Sequence, residues 1–152
     1  MTISAVDARA VLDRWQSILR LADWDIDLRL VDTPWRKTGD VKVDLDDRKA
    51  VLLLRAGQPS EHLDEVVVHE LIHLRLYAMD QMLVQLLDAV YGTDADDPKR
   101  AFAETQFMTL LESTTEDLAK ALLAASGSPT PLTFERLRAE VEREIGPEAT
   151  TS

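Results

Sequence analysis

The spacing of apolar residues changes period several times along the chain. Over residues 5–21, AVDARAVLDRWQSILRL, it places Val6, Ala10, Trp15, Ile18 and Leu19 near one helical face and predicts an amphipathic helix. WDIDLRLVD then alternates. Trp24, Ile26, Leu28 and Leu30 fall on one side and Asp25, Asp27, Arg29 and Val31 on the other, the period of a half-buried strand. TPWRKTGD, with Pro34 and Gly39, reads as a loop. VKVDLD alternates again, RKAVLLLRA reads as a third strand, and the intervening DDRK is short enough for a hairpin.

GQPS breaks the chain, and helical spacing takes over. Ser60 is a candidate N-cap for a helix from about Glu61 to Tyr77 or beyond, with Glu61, Asp64 and Glu65 near its positive end. The pattern continues through QMLVQLLDAVY, where Asp80 is a candidate break between two helices. GTDADDP is a loop, and Asp97-Pro98 has the form of an N-cap followed by the first helical position. Another helical segment runs to about Ala125, with a candidate break at 113–116, where STTE has capping-box spacing. Gly127, Pro129 and Pro131 end it. LTFERLRAEVEREI predicts a last amphipathic helix carrying Phe134, Leu137, Val141 and Ile145 on one stripe. Together these elements predict an α+β fold, a small three-stranded sheet packed against helices. One domain is expected over residues 1–146, with a disordered tail at 147–152.

Composition narrows the partners. The 152 residues are 45% apolar and 30% charged, ordinary for a globular domain able to bury a core. The net charge of −11, with Lys and Arg scattered among acids, disfavours phosphate backbones and anionic membranes, so neither nucleic acid nor a membrane is an expected partner. With no cysteine there are no disulfides, thiolate metal sites or thiol nucleophiles. The N-terminus lacks the apolar core of a signal peptide, and no apolar run reaches the roughly 18 residues of a membrane span. A soluble, cytoplasmic protein is the expectation.

One stretch resists a purely structural reading. VVVHELIHLRL, residues 66–76, is the strongest apolar run in the chain, yet it contains His69, Glu70 and His73. On a helix, residues four apart share a face, so both imidazoles point the same way at a spacing that suits one metal ion. Glu70 lies about 100° round the axis, within reach of a water at such an ion. This His-Glu-x-x-His spacing is that of zinc hydrolases, with His69 and His73 as ligands and Glu70 as general base. A pair of core histidines bonded to carbonyls is the structural alternative.

Zinc needs a third protein ligand. His62, seven residues before His69, is about 10 Å away along the axis and too far. A carboxylate is then expected. Glu104 has Ala101, Phe107, Met108 and Leu111 on its own helical face, and a carboxylate in an apolar stripe needs a cationic partner. A metal would serve; so would Arg100, four residues back, or Arg75. Glu112, with Thr109, Thr115 and Glu116 as neighbours, reads as surface, and Asp88, Asp94, Asp96 and Asp97 are weaker candidates.

A His-Glu-x-x-His helix followed by a glutamate on a later helix resembles the gluzincin branch of zincin metallopeptidases. The small size is similar to its minimal members: minigluzincins, ImmA/IrrE-like peptidases and small phage and bacterial metallopeptidase-like proteins. The resemblance spans roughly residues 20–112, and only the motif within it is specific. It implies a minimal zincin-like fold, Zn²⁺ held by His69, His73 and Glu104, Glu70 as general base, and a protein or peptide substrate. It also implies an edge strand, AVLLLRA or VKVDLD, that pairs with the substrate backbone. Leu76 and Met79 stand where metzincins need Gly and His, which excludes that class. Arg75 departs from the apolar residue of the extended zincin pattern, and no downstream His or Tyr stands out as a transition-state stabiliser. The reading from a different class is a metal-binding protein without catalysis that serves as an interaction module.

Overall fold

The computed structural model describes residues 3–58 and 60–127, which form three helices and a three-stranded mixed sheet, an α+β arrangement. The order is α1 (Ala5–Ile18), β1 (Asp25–Val31), β2 (Gly39–Asp44), β3 (Lys49–Arg55), a 3-10 turn (Ser60–His62), α2 (Leu63–Tyr91) and α3 (Pro98–Ala125). The helix predicted over 132–145 and the tail at 147–152 lie outside the described residues.

The alternation read in the strands is that of a single core face. β3 is central, with β1 parallel on one side and β2 antiparallel on the other. The register aligns Ile26–Ala50–Val43, Leu28–Leu52–Val41 and Leu30–Leu54–Gly39 as three cross-sheet rows. Asp25, Asp27 and Arg29 point the other way and are exposed. Of the two candidate edge strands, AVLLLRA is β3, paired on both sides; β2 is the edge. β2 begins at Gly39, earlier than the apolar pattern predicts, and the Arg55 N–H donates to the Thr38 carbonyl just beyond it (2.9 Å).

α1 forms as predicted with part of its face shifted: Trp15 is buried and Leu19 packs against the core as expected, whereas Ala10 is exposed. Val6 and Ile18 are exposed, and the buried stripe is Ala8, Leu12 and Trp15, spaced i, i+4, i+7. Ser4 caps the helix by accepting from the Asp7 N–H (3.1 Å). Trp15 Nε1 donates to Asp64 Oδ1 (2.7 Å), tying α1 to the first turn of α2. Leu12, Trp15, Leu52, Leu54, Val67 and Leu71 are fully buried, each contributing about 1.5–3 kcal/mol of transfer free energy, and they lock α2 onto the sheet.

Neither candidate helix break occurs. α2 passes straight through Asp80 and α3 through 113–116. The two form an antiparallel hairpin. At its tip Asp97 caps α3, accepting from the N–H groups of Lys99 (3.0 Å) and Arg100 (2.8 Å). Arg100 is buried there and donates to Asp88 (2.7 Å), Glu104 (2.8 Å) and the Gly92 carbonyl (3.2 Å). No helix among the described residues is long and apolar enough to cross a membrane.

Candidate metal centre

α2 carries the motif because its first half is anchored on several sides. Val66, Val67, Val68, Leu71, Ile72 and Leu74 are buried, which fixes the rotation of the helix and turns the two imidazoles toward α3. His73 Nε2 lies 3.1 Å from His69 Nε2, with the rings edge to face. The α3 residue that meets them is Glu112: Oε1 is 3.2 Å from His73 Nε2 and Oε2 is 3.5 Å from His69 Nε2. One donor atom from each of the three lies within 4.8 Å of the others. Ligands about 2.0–2.1 Å from a tetrahedral ion are about 3.3 Å apart, which the His69–His73 and His73–Glu112 Oε1 separations match. Two imidazole nitrogens and a carboxylate also form a donor set suited to Zn²⁺.

Glu104 does not join this group. Its carboxylate is held by Arg100, the ion pair that the sequence left as an alternative. The residue is half-buried and lies two helical turns from Glu112 toward the hairpin tip. The expectation of Glu104 rested on its apolar stripe; the carboxylate that meets the imidazoles is instead Glu112, at an open cleft with its side chain 55% exposed. His62 sits in the 3-10 turn before α2, exposed and apart from the group. Asp88 serves Arg100, and Asp94, Asp96 and Asp97 belong to the hairpin loop and its cap.

One turn beyond Glu112, Glu116 Oε2 is 3.2 Å from His69 Nδ1 and Oε1 is 2.8 Å from Lys120. Burial alone would raise the Glu116 carboxyl, but the Lys120 ammonium and the His69 ring outweigh it and hold the group below its ordinary range. An anionic acceptor at Nδ1 keeps the proton on that nitrogen and leaves the Nε2 lone pair facing His73 and Glu112. Burial lowers the pKa of His73, favouring the neutral imidazole that a metal requires.

Glu70 is 9% exposed and lies against the sheet edge. Gly39 makes this approach possible: a Cβ there would fall 2.6 Å from Val66 Cγ1 and 3.0 Å from both Cγ and Oε1 of Glu70. Burial, reinforced by the charges of Asp40 and Glu112, pushes the Glu70 carboxyl up from an ordinary 4.5 to about 7, while Lys37 and Lys42 pull the other way. Those lysines are engaged by Asp40, at 3.1 Å and 2.7 Å.

Two depressions meet at Thr38, His69 and Glu70. A cleft of about 610 Å³ is walled by β2 and the residues before it, by His73, Tyr77, Asp80 and Val84 of α2, and by Phe107, Leu111 and Glu112 of α3. A recess of about 320 Å³ lies on the other side, between Arg55, Gln58, His62 and Glu116. A hollow of about 660 Å³ opens beside Trp24 and Lys49 and contains none of the histidines. The Thr38–Arg55 hydrogen bond sets the alternation of the β2–β3 ladder, so the backbone groups of Gly39 and Val41 face away from β3. Both residues line the cleft.

Compared with protein-family models and with curated proteins, the chain matches none. The sequence offers Glu112 only as a surface residue and assigns Glu116 no role, yet both meet the histidines. A signal for them existed: glutamates four apart on one face of α3, flanking Thr115, which is fully buried.

Proposed function

We propose that the protein is a zinc-dependent metallopeptidase of gluzincin type, with His69, His73 and Glu112 as metal ligands and Glu70 as general base. The observation that carries the reading is the convergence of these three donors beside a buried carboxylate. Two His and one carboxylate also suit Fe(II). The adjacent Glu70, placed where a hydrolase needs its base, favours zinc and hydrolysis.

A divalent metal in this donor set supplies Lewis acidity, activating water and polarising the scissile carbonyl. The chain's own residues supply the rest. Glu70, a buried carboxylate next in sequence to His69, accepts a proton from the attacking water and returns it to the leaving amine. Glu116 holds the His69 ring in one orientation. The free edge of β2 offers the backbone groups of Gly39 and Val41 to an extended peptide. Tyr77 and Lys37 line the same cleft and bring proton-bearing groups to it.

The test is cleavage of a broad peptide library by the zinc-loaded protein. Cleavage that falls about 10²–10⁴-fold in Glu70→Gln, with metal content unchanged, is the expected result. A Glu70→Gln variant as fast as wild type contradicts the mechanism. Bound metal with no cleavage of any peptide would support the non-catalytic metal-binding reading instead.

A further inference from the structure

The carboxylates of the cleft are occupied in different ways. Asp40 is bound by Lys37 and Lys42, Glu104 by Arg100, and Glu112 faces the two imidazoles. Glu70 is the base. Asp80 is different: it lines the cleft half-buried, and a partly desolvated carboxylate without a counter-charge is an acceptor suited to a cation that arrives from outside. No Lys or Arg among the described residues forms a salt bridge with it.

Its position indicates what that donor is. Asp80 follows His73 by seven residues, so the two share a face of α2 about 10 Å apart along the axis. Tyr77, Val84, Phe107 and Leu111 line the same cleft as Asp80. An amine attached directly to the backbone next to a scissile bond at His73 is too close to the metal centre to reach Asp80. A lysine or arginine side chain has the needed length, with an aliphatic stem for the apolar walls and a cation for the carboxylate. The net charge of −11 draws such substrates in.

We infer that Asp80 is a specificity-determining residue, the carboxylate that receives a lysine or arginine side chain flanking the scissile bond. The inference rests on the peptidase reading for the word scissile and on the geometry of the cleft for the cation.

Acetylated and amidated alanine hexapeptides, each with one lysine at successive positions, are compared with norleucine counterparts. They are tested on zinc-loaded wild type and Asp80→Asn, with thermal melts confirming that the variant folds. Binding is measured in parallel in the Glu70→Gln background, where turnover does not interfere. The expected result is a lysine preference of at least tenfold at one position in kcat/KM and in Kd, removed in Asp80→Asn while norleucine peptides are unaffected. Cleavage without a lysine preference, or with one that survives Asp80→Asn, overturns the inference and leaves the peptidase reading intact. Asp80-dependent lysine binding without cleavage overturns the peptidase reading and keeps the cation pocket. Neither cleavage nor lysine-selective binding overturns both.

Discussion

Glu116 Oε2 lies 3.2 Å from His69 Nδ1, so a carboxylate from one helix fixes the ring of a histidine on another. The contact joins the two halves of the hairpin at the place where the donors converge. α3 stays helical through 113–116, where Thr115 is fully buried, and so keeps Glu112 and Glu116 one turn apart and facing α2. Partners of this kind are typically worth 10–100-fold in metal affinity. Glu116→Gln is therefore expected to weaken zinc binding by about that factor with little change in the melting of the metal-free protein. Competition with a chromogenic chelator measures it.

Glu70 makes the metal-free fold sensitive to pH in a direction opposite to most carboxylates. Its pKa is raised on folding, from 4.5 to about 7, so the folded state binds the proton more tightly than the unfolded state. Stability from this group is complete below about 4.5 and is lost as pH rises through about 7, amounting to about 3 kcal/mol. Glu70→Gln cannot ionise. In urea melts of chelator-treated protein it should match wild type near pH 4.5 and exceed it by up to about 3 kcal/mol at pH 8. An equal difference at both pH values would contradict the burial of the charge.

Gly39 is the last residue of its cross-sheet row, and the side chain it lacks is the space used by Val66 and Glu70. Gly39→Ala forces β2 and α2 apart or bends both side chains, at a cost of about 1–3 kcal/mol. The denaturant midpoint should fall accordingly. Because Glu70 is one of the displaced groups, turnover should fall more than metal affinity does. Loss of stability alone, with turnover intact, would mean that Gly39 matters only for packing.

Much of the fold was legible because its determinants are local. The alternation of Ile26, Leu28 and Leu30, the Asp97-Pro98 cap and the i, i+4 histidines each state their structure within a few residues. The site was legible only as far as one helix reaches: His69, Glu70 and His73 follow from spacing, whereas the third member depends on the rotation and register of α3 against α2. Choosing Glu104 assumed that a ligand must be buried in apolar surroundings. Arg100 instead takes Glu104 at the hairpin tip, and Glu112 meets the histidines at an open cleft, where water solvates what a metal would bind. Part of the buried face of α1 is likewise set by packing beyond the helix: Trp15 is buried on the predicted face, but Ala8 and Leu12 join it in place of Val6 and Ile18.

The pair Glu112 and Glu104 separates the structure from its nearest alternative. Metal content by elemental analysis, on protein without a histidine tag and equilibrated with zinc, decides between them in wild type, His69→Ala, Glu112→Ala and Glu104→Ala. About one zinc per chain is expected in wild type and Glu104→Ala, with loss in His69→Ala and Glu112→Ala. Zinc retained in Glu112→Ala but lost in Glu104→Ala, or no zinc in wild type, would contradict the metal centre described above.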